Sequence, residues 1–204
     1  MKRIAGLVLI AVLFFLSQRT VFCNHWGIKA GGTLSFGGNQ ETSIIYIPSN
    51  RLAVKAGFFL DFPIAGGFSL QPELSYSMKG FRYYNAYWRD TLTVTLNYIE
   101  IPVLLKMNFL KRVGVALGPY IGFLIKTPPL DDGPNAWTWM ENKVRKIDAG
   151  ISASLNFRFT RFDFVEIQFC QGFANVVDSS NTDYWSFRKP FRNSTISLLL
   201  GVIF

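Results

Sequence analysis

The sequence predicts an all-β protein, an eight-stranded antiparallel β-barrel that crosses a membrane. Three observations predict it: strict two-residue alternation in segment after segment, an export-type amino terminus, and too few charges for a water-facing shell. In 145–159, Lys146, Asp148, Gly150, Ser152, Ser154, Asn156 and Arg158 share one parity, and Ile147, Ala149, Ile151, Ala153, Leu155, Phe157 and Phe159 share the other. Successive strand side chains point to opposite faces, so this is one strand with a polar and an apolar face. It is long enough to span a bilayer at a tilt, which takes roughly 9–11 residues. Half of the 204 residues are hydrophobic and 17% are charged, against roughly 25% charged in an ordinary soluble domain. A surface that faces lipid needs no charged shell.

The chain opens with Met1-Lys2-Arg3 and the apolar run Ile4–Leu16, which has the charge and length of a secretion signal and is too short for a spanning helix. Val21-Phe22-Cys23 offers a cleavage site before Asn24, so residues 1–23 are expected to be the signal peptide and 24–204 the barrel domain. Phe22 is not the small residue that a lipidated Cys23 would need before it. With Cys23 removed, Cys170 is the only thiol and no intramolecular disulfide can form. The net charge of +8 is scattered rather than clustered, which argues against nucleic acid.

The strands follow in order. Strand one, 26–36, puts Ile28, Ala30, Leu34 and Phe36 opposite Lys29, Thr33 and Ser35. Strand two, 52–62, sets Leu52, Val54, Ala56, Phe58, Leu60 and Phe62 against Lys55, Gly57 and Asp61, and strand three, 68–79, sets Leu70, Leu74, Tyr76 and Met78 against Gln71, Glu73, Ser75 and Lys79. Strand four changes parity: Leu92, Val94 and Leu96 are even, while Ile99, Ile101, Val103, Leu105 and Met107 are odd. Either a β-bulge near Asn97–Tyr98 restores one face, or 91–96 belongs to a loop end. Strand five is 113–125, strand six is the opening segment, strand seven is 164–173 with Glu166, Gln168 and Cys170 on the polar parity, and strand eight is 192–204. Connections alternate between short (63–67, 110–112, 160–163) and long (37–51, 80–90, 126–144, 174–191). Membrane barrels show this rhythm because periplasmic turns are short and extracellular loops long.

Alternation alone does not say which parity faces out. A soluble barrel turns its apolar parity inward; a membrane barrel reverses that. The polar parity is rich in Gly, Ser, Asn and Gln and carries both signs: Lys29, Lys55, Asp61, Glu73, Lys79, Glu100, Lys106, Asp148, Arg158 and Glu166. Small residues fit the narrow interior of a barrel of about eight strands, and mixed charges can pair there. The membrane reading follows.

Several segments resemble one family in chain order: Tyr98-Ile99-Glu100-Ile101-Pro102-Val103-Leu104-Leu105-Lys106, Gln71-Pro72-Glu73-Leu74-Ser75-Tyr76-Ser77-Met78-Lys79-Gly80, Gly118-Pro119-Tyr120-Ile121-Gly122, Lys29-Ala30-Gly31-Gly32 and Asp148-Ala149-Gly150-Ile151. They are similar to the strands of PorT-like proteins with the outer-membrane β-barrel domain, common in Bacteroidetes; Thr33 departs from the Asn of the opening motif. The resemblance implies a small barrel in the outer membrane of a Gram-negative bacterium. By fold-level analogy only, it implies an accessory role in secretion.

Lys29, Lys55, Glu73, Lys79, Glu100, Lys106, Asp148, Arg158 and Glu166 are the candidate inward polar network. They read either as a binding or conduction site or as charges that neutralise one another, since unpaired buried charge is costly; the second reading is preferred. Pro102, inside a strand, is expected to mark a local bulge or edge distortion. His25 is the only histidine and has no partner nearby in sequence, so no catalytic residue, metal site or cofactor is expected. Asp131-Asp132-Gly133-Pro134-Asn135 lacks calcium-loop spacing and reads as a turn. The aromatics Tyr83, Tyr84, Tyr87, Trp88, Trp137, Trp139, Tyr184, Trp185 and Phe187 suit the lipid interface near strand ends and partner contact at loop centres. Phe204 ends the last strand and resembles an assembly signal. The expected function is a non-enzymatic outer-membrane barrel without an open pore, serving structure, adhesion or secretion assembly. The alternatives are a small-solute porin or transporter and, further off, a lipid-modifying barrel enzyme. Expected partners are outer-membrane lipid, the barrel-assembly machinery during biogenesis, and envelope or secretion-system proteins, with no nucleic acid.

Overall fold

A computed structural model describes residues 25–36, 46–85, 90–126, 144–176 and 192–204. The strands are β1 (His25–Phe36), β2 (Tyr46–Ser49), β3 (Arg51–Ala65), β4 (Phe68–Asn85), β5 (Asp90–Asn108), β6 (Val113–Lys126), β7 (Ile147–Arg158), β8 (Asp163–Asn175) and β9 (Arg192–Ile203). They form one antiparallel sheet in the order β2-β4-β3-β1-β9-β8-β7-β6-β5, and β4 also pairs with β5, so the sheet closes. β2 pairs with β4 above β3: Ser49 faces Arg82 and Lys55 faces Ser77, leaving one extra residue on the β2–β3 side. β2 and β3 are therefore one stave broken by a bulge, and the barrel has eight staves.

Closure sets the stagger. From Lys29 the paired residues run one way through Gly57, Ser75, Glu100 and Gly122 to Asp148 on β7. The other way they run through Gly201 and Phe164 to Arg158, also on β7 and ten residues further along. A ten-residue offset over eight strands tilts the strands by about 40°, given the usual rise per residue and strand spacing. At that tilt the twelve residues of β7 rise about 30 Å, enough for the roughly 25 Å apolar band of such barrels.

Apolar side chains face out and polar ones face in. Along β7, Ile147, Ile151, Leu155 and Phe157 are exposed, while Asp148, Ser152, Ser154 and Asn156 are buried. On β9, Ile196, Leu198 and Leu200 are exposed and Asn193, Thr195 and Ser197 are buried. Closure matters because lipid cannot satisfy backbone N–H and C=O groups, so each strand must be paired on both sides. The seam joins first strand to last: Phe204 N donates to Trp26 O at 2.7 Å, and the two rings stack with centroids 4.4 Å apart.

Several sequence expectations need correction. β3 runs to Ala65, and its turn to β4 is just Gly66-Gly67, both at positive φ (59° and 83°), the backbone of a type I′ hairpin that glycine supplies without strain. Residues 80–85 and 90 are strand rather than loop, so Tyr83 and Tyr84 lie in β4; paired backbone holds the hairpin together past the barrel wall. The same holds for 46–49 and Arg51. A register irregularity does fall at Asn97/Tyr98, but on the β6 side, where Ile125 is passed over; pairing with β4 continues unbroken from Ser75–Glu100 to Lys79–Leu96. Parity on β5 is therefore kept, and Leu96 points into the barrel, fully buried, rather than joining the lipid face. Pro102 makes no bulge either. The register is the same on both sides of it, and the pairing with β4 lapses between Val103 and Glu100, because a residue without an N–H removes a rung without adding length. The signal segment, Cys23, 131–135, Tyr87, Trp88, Trp137, Trp139, Tyr184, Trp185 and Phe187 lie outside the described residues.

The outward parity makes a direct test. Leu155→Arg and Leu198→Arg should each cost about 2–4 kcal/mol, the price of a mid-bilayer arginine on a barrel's lipid face. Urea unfolding in lipid vesicles should show this, and native-like heat-modifiable mobility with unchanged stability would contradict the facing.

Candidate functional site

The lumen is built by inward residues from every long stave. Two sets of charges fill it. Toward the open ends of the long strands, Glu100 receives Lys55 (2.8 Å) and Lys79 (2.5 Å), and Lys79 also reaches Asp148 at 3.0 Å. Asp148 Oδ2 accepts from Tyr120 Oη at 3.1 Å and from Asn193 Nδ2 at 3.0 Å. The Lys79 ammonium lies over the rings of Tyr98 (5.3 Å) and Tyr120 (4.7 Å). Toward the short turns, Lys29 bridges Glu73 (2.8 Å) and Glu166 (2.6 Å). Gln71 donates to Glu73 at 2.7 Å and accepts from Lys106 at 2.9 Å, and Lys106 continues to Asp61 at 3.2 Å.

The buried charges balance. Lys29, Arg51, Lys55, Lys79 and Lys106 stand against Asp61, Glu73, Glu100, Asp148 and Glu166, all with less than a tenth of their surface exposed. Arg51 donates from Nη1 to Lys79 O at 3.1 Å. At this depth a lone charge would be prohibitive, and a carboxylate between two ammonium groups is the arrangement that offsets desolvation. Glu73 Oε2 and Asp148 Oδ1 have no hydrogen-bond donor among the described residues.

Beside the lower charges sits an apolar cluster. Phe59, Phe164 and Ile203 form a buried cluster, the two rings edge to face with centroids 5.7 Å apart. Phe59 lies over Gly27 and Phe164 over Gly201, its neighbour across the strand pair; a Cβ at either glycine would run into the ring. Leu104 and Leu199 are also fully buried. The cavity lined by Phe59, Gln71, Lys106, Asn156, Arg158, Phe164, Glu166 and Ile203 leaves space for about one water molecule.

Residues 23–178 match the family described as outer membrane protein beta-barrel domain. The chain belongs to that family. Among solved structures, the barrel is similar to OprG from Pseudomonas aeruginosa, with 7% identity, a TM-score of 0.51, and coverage of 88% of this chain and 95% of that one. It is also similar to Ail, the attachment invasion locus protein of Yersinia pestis (11%, TM-score 0.49, 88% and 98%). Neisserial surface protein A is another (11%, TM-score 0.49, 87% and 96%). No curated protein matches the chain. The likeness to OprG shows the fold alone. Family and fold together place the protein in the outer membrane of a Gram-negative bacterium.

Within this outer-membrane barrel, eight of the nine residues singled out as an inward network meet in the two ion-pair sets: Lys29, Lys55, Glu73, Lys79, Glu100, Lys106, Asp148 and Glu166. Arg158 differs. It is half-buried at the short-turn mouth, lines the cavity, and makes no ion pair among the described residues. Sequence reading missed the interior apolar residues Phe59, Leu96, Tyr98, Phe164 and Leu199. Parity marked two of them plainly, since Phe59 stands between Gly57 and Asp61 and Leu199 between Ser197 and Gly201. His25 is exposed at the start of β1, and Cys170 is buried, 3.5 Å from Ser152 Oγ and 3.7 Å from Lys55 Nζ.

Glu100 joins two lysines, so its loss should be felt most. Glu100→Gln should destabilise the folded barrel by roughly 3–5 kcal/mol, the cost of stranding buried charge, while Lys55→Met/Glu100→Leu, which leaves Lys79 paired with Asp148, should recover much of it. Unfolding midpoints in vesicles or detergent check this; a single variant as stable as the double would contradict it.

Proposed function

We propose that this outer-membrane barrel works without an open pore, as a structural, adhesion or secretion-assembly accessory protein whose business is conducted at its ends rather than through its lumen. The observation that carries this reading is the filled lumen: two ion-paired sets, the lower one packed beside the Phe59, Phe164 and Ile203 cluster. Ions can pass only if several buried pairs part and a packed aromatic cluster opens, and each such break is costly. The long β4–β5 hairpin supports the same view, because 18 and 19 residues exceed what the bilayer requires. A secretion role of the PorT-like kind rests on the resemblance of the Tyr98–Lys106 and Gln71–Gly80 strands and is the narrower form of the proposal. The porin or transporter reading has no comparable support in a lumen this full.

Planar-bilayer recording decides between the two. Purified wild-type protein should give no stable unitary steps, and regular conductance would move the transporter reading ahead. Phe59→Ala/Phe164→Ala, which empties that cluster, should give at most flickering leak.

The same proposal assigns Phe204 to biogenesis, with the barrel-assembly machinery as the transient partner. Its backbone and ring are the last contacts made at the β1–β9 seam, and an incoming final strand must present an unpaired edge and an apolar face before closure. Deleting Val202–Phe204 should leave protein in the periplasm or degraded, whereas deleting Asp178–Asp183 should preserve surface levels. Equal surface labelling of both deletions would remove that role from Phe204.

A further inference from the structure

We propose that the two neighbouring short turns after β5 and β7 form a binding face for anionic phospholipid of the periplasmic leaflet. The turns lie side by side, since Arg158 N donates to Arg112 O at 2.8 Å. They present Lys111, Arg112 and Arg161, all exposed and with no side-chain hydrogen bond or ion pair among the described residues. The contrast with the lumen is sharp, where every buried lysine has a carboxylate partner.

Apolar residues flank these cations. Phe109, Leu110, Phe159 and Phe162 are each half or more exposed, and Phe159 packs edge to face on Phe157 of the lipid-facing row at 5.2 Å. The patch is thus the lower edge of the lipid-facing band, with the cations one or two residues beyond it. That places them where phosphodiesters of the inner leaflet lie, while the rings meet acyl chains and glycerol. The one carboxylate in these turns is already engaged. Thr160 Oγ1 donates to Asp163 Oδ2 at 2.8 Å and accepts from the backbone N–H of Phe162 (3.1 Å) and Asp163 (2.9 Å). Arg161 is exposed and makes no ion pair with Asp163 among the described residues. The remaining short turn, Gly66-Gly67, carries no charge, nor do residues 63–65 before it, so the basic face is confined to one side of the barrel.

Lipid rather than an acidic protein is favoured because the cations are continuous with an apolar surface that is already in the bilayer. A phosphate at each would be held by charge and by the hydrogen-bonding fork of Arg.

The test uses the full mature barrel in nanodiscs of phosphatidylethanolamine and phosphatidylcholine, with or without phosphatidylglycerol or cardiolipin, and counts lipids retained in native mass spectrometry. Wild type should retain the anionic lipids selectively, and Lys111→Gln/Arg112→Gln/Arg161→Gln should lower that retention by about tenfold or more, while Lys146→Gln at the opposite rim leaves it unchanged. Heat-modifiable mobility confirms that each variant is folded; the changes lie in turns and remove no internal contact. Equal retention of zwitterionic and anionic lipid by wild type would overturn the proposal. So would a triple variant that retains as much as wild type, or a wild-type barrel that binds an acidic periplasmic protein or sacculi through these residues but no anionic lipid.

Discussion

The width of the lumen governs the rest of this molecule. Eight staves with a ten-residue stagger enclose a space that side chains alone just fill, so each inward residue is chosen by what stands across from it. A glutamate there must meet a lysine, because a buried charge without a partner is costly. Lys29 with Glu73 and Glu166, and Glu100 with Lys55 and Lys79, are the outcome of that constraint. In each set one charge is shared by two partners of opposite sign, which ties three staves together through a single group.

That constraint also divides labour along the axis. Charge and hydrogen bonds run the length of the lumen, and at the lower end the aromatic pair Phe59 and Phe164 packs beside the Lys106–Asp61 pair. The rings are seated on Gly27 and Gly201, where the absent side chains make room across the barrel. The outer face follows opposite rules. It is apolar through the membrane, and at the lower rim aromatic rings stand beside Lys111, Arg112 and Arg161, which make no ion pair among the described residues. The two ends differ. The upper one extends the β4–β5 hairpin with β2 alongside, and the lower one has short turns and the seam between Trp26 and Phe204.

Much of this was legible in the linear chain. Period-two alternation located all eight staves, because a residue's face is decided by parity and parity is local. Residues 145–159 show it best: Asp148, Ser152 and Asn156 are buried, and Ile151 and Leu155 are exposed. Where the reading failed, hydrophobicity had been used in place of parity. One of the two readings of strand four used a bulge to bring Leu92, Val94 and Leu96 to the lipid face because they are apolar, yet Leu96 is luminal. The same habit hid Phe59 and Phe164. Strand ends at 80–85 and 46–49 were missed because hydrogen bonding to a neighbour stabilises them, and a neighbour is not a local property.

The sequence by itself determined the eight staves, their outward and inward rows, the alternation of turns and loops and most of the inward charges, since each follows from residue type and a repeat of two; buried Arg51, at the end of what reads as a loop, was not among them. Only the tertiary structure decided which charges meet. Lys29 and Glu166 lie 137 residues apart, and their contact exists because closure and stagger bring β1, β4 and β8 around the same level of the lumen. Arg158 shows the other side of that dependence: its parity is the same as theirs, but stagger leaves it at the mouth, past the last carboxylate that could pair with it.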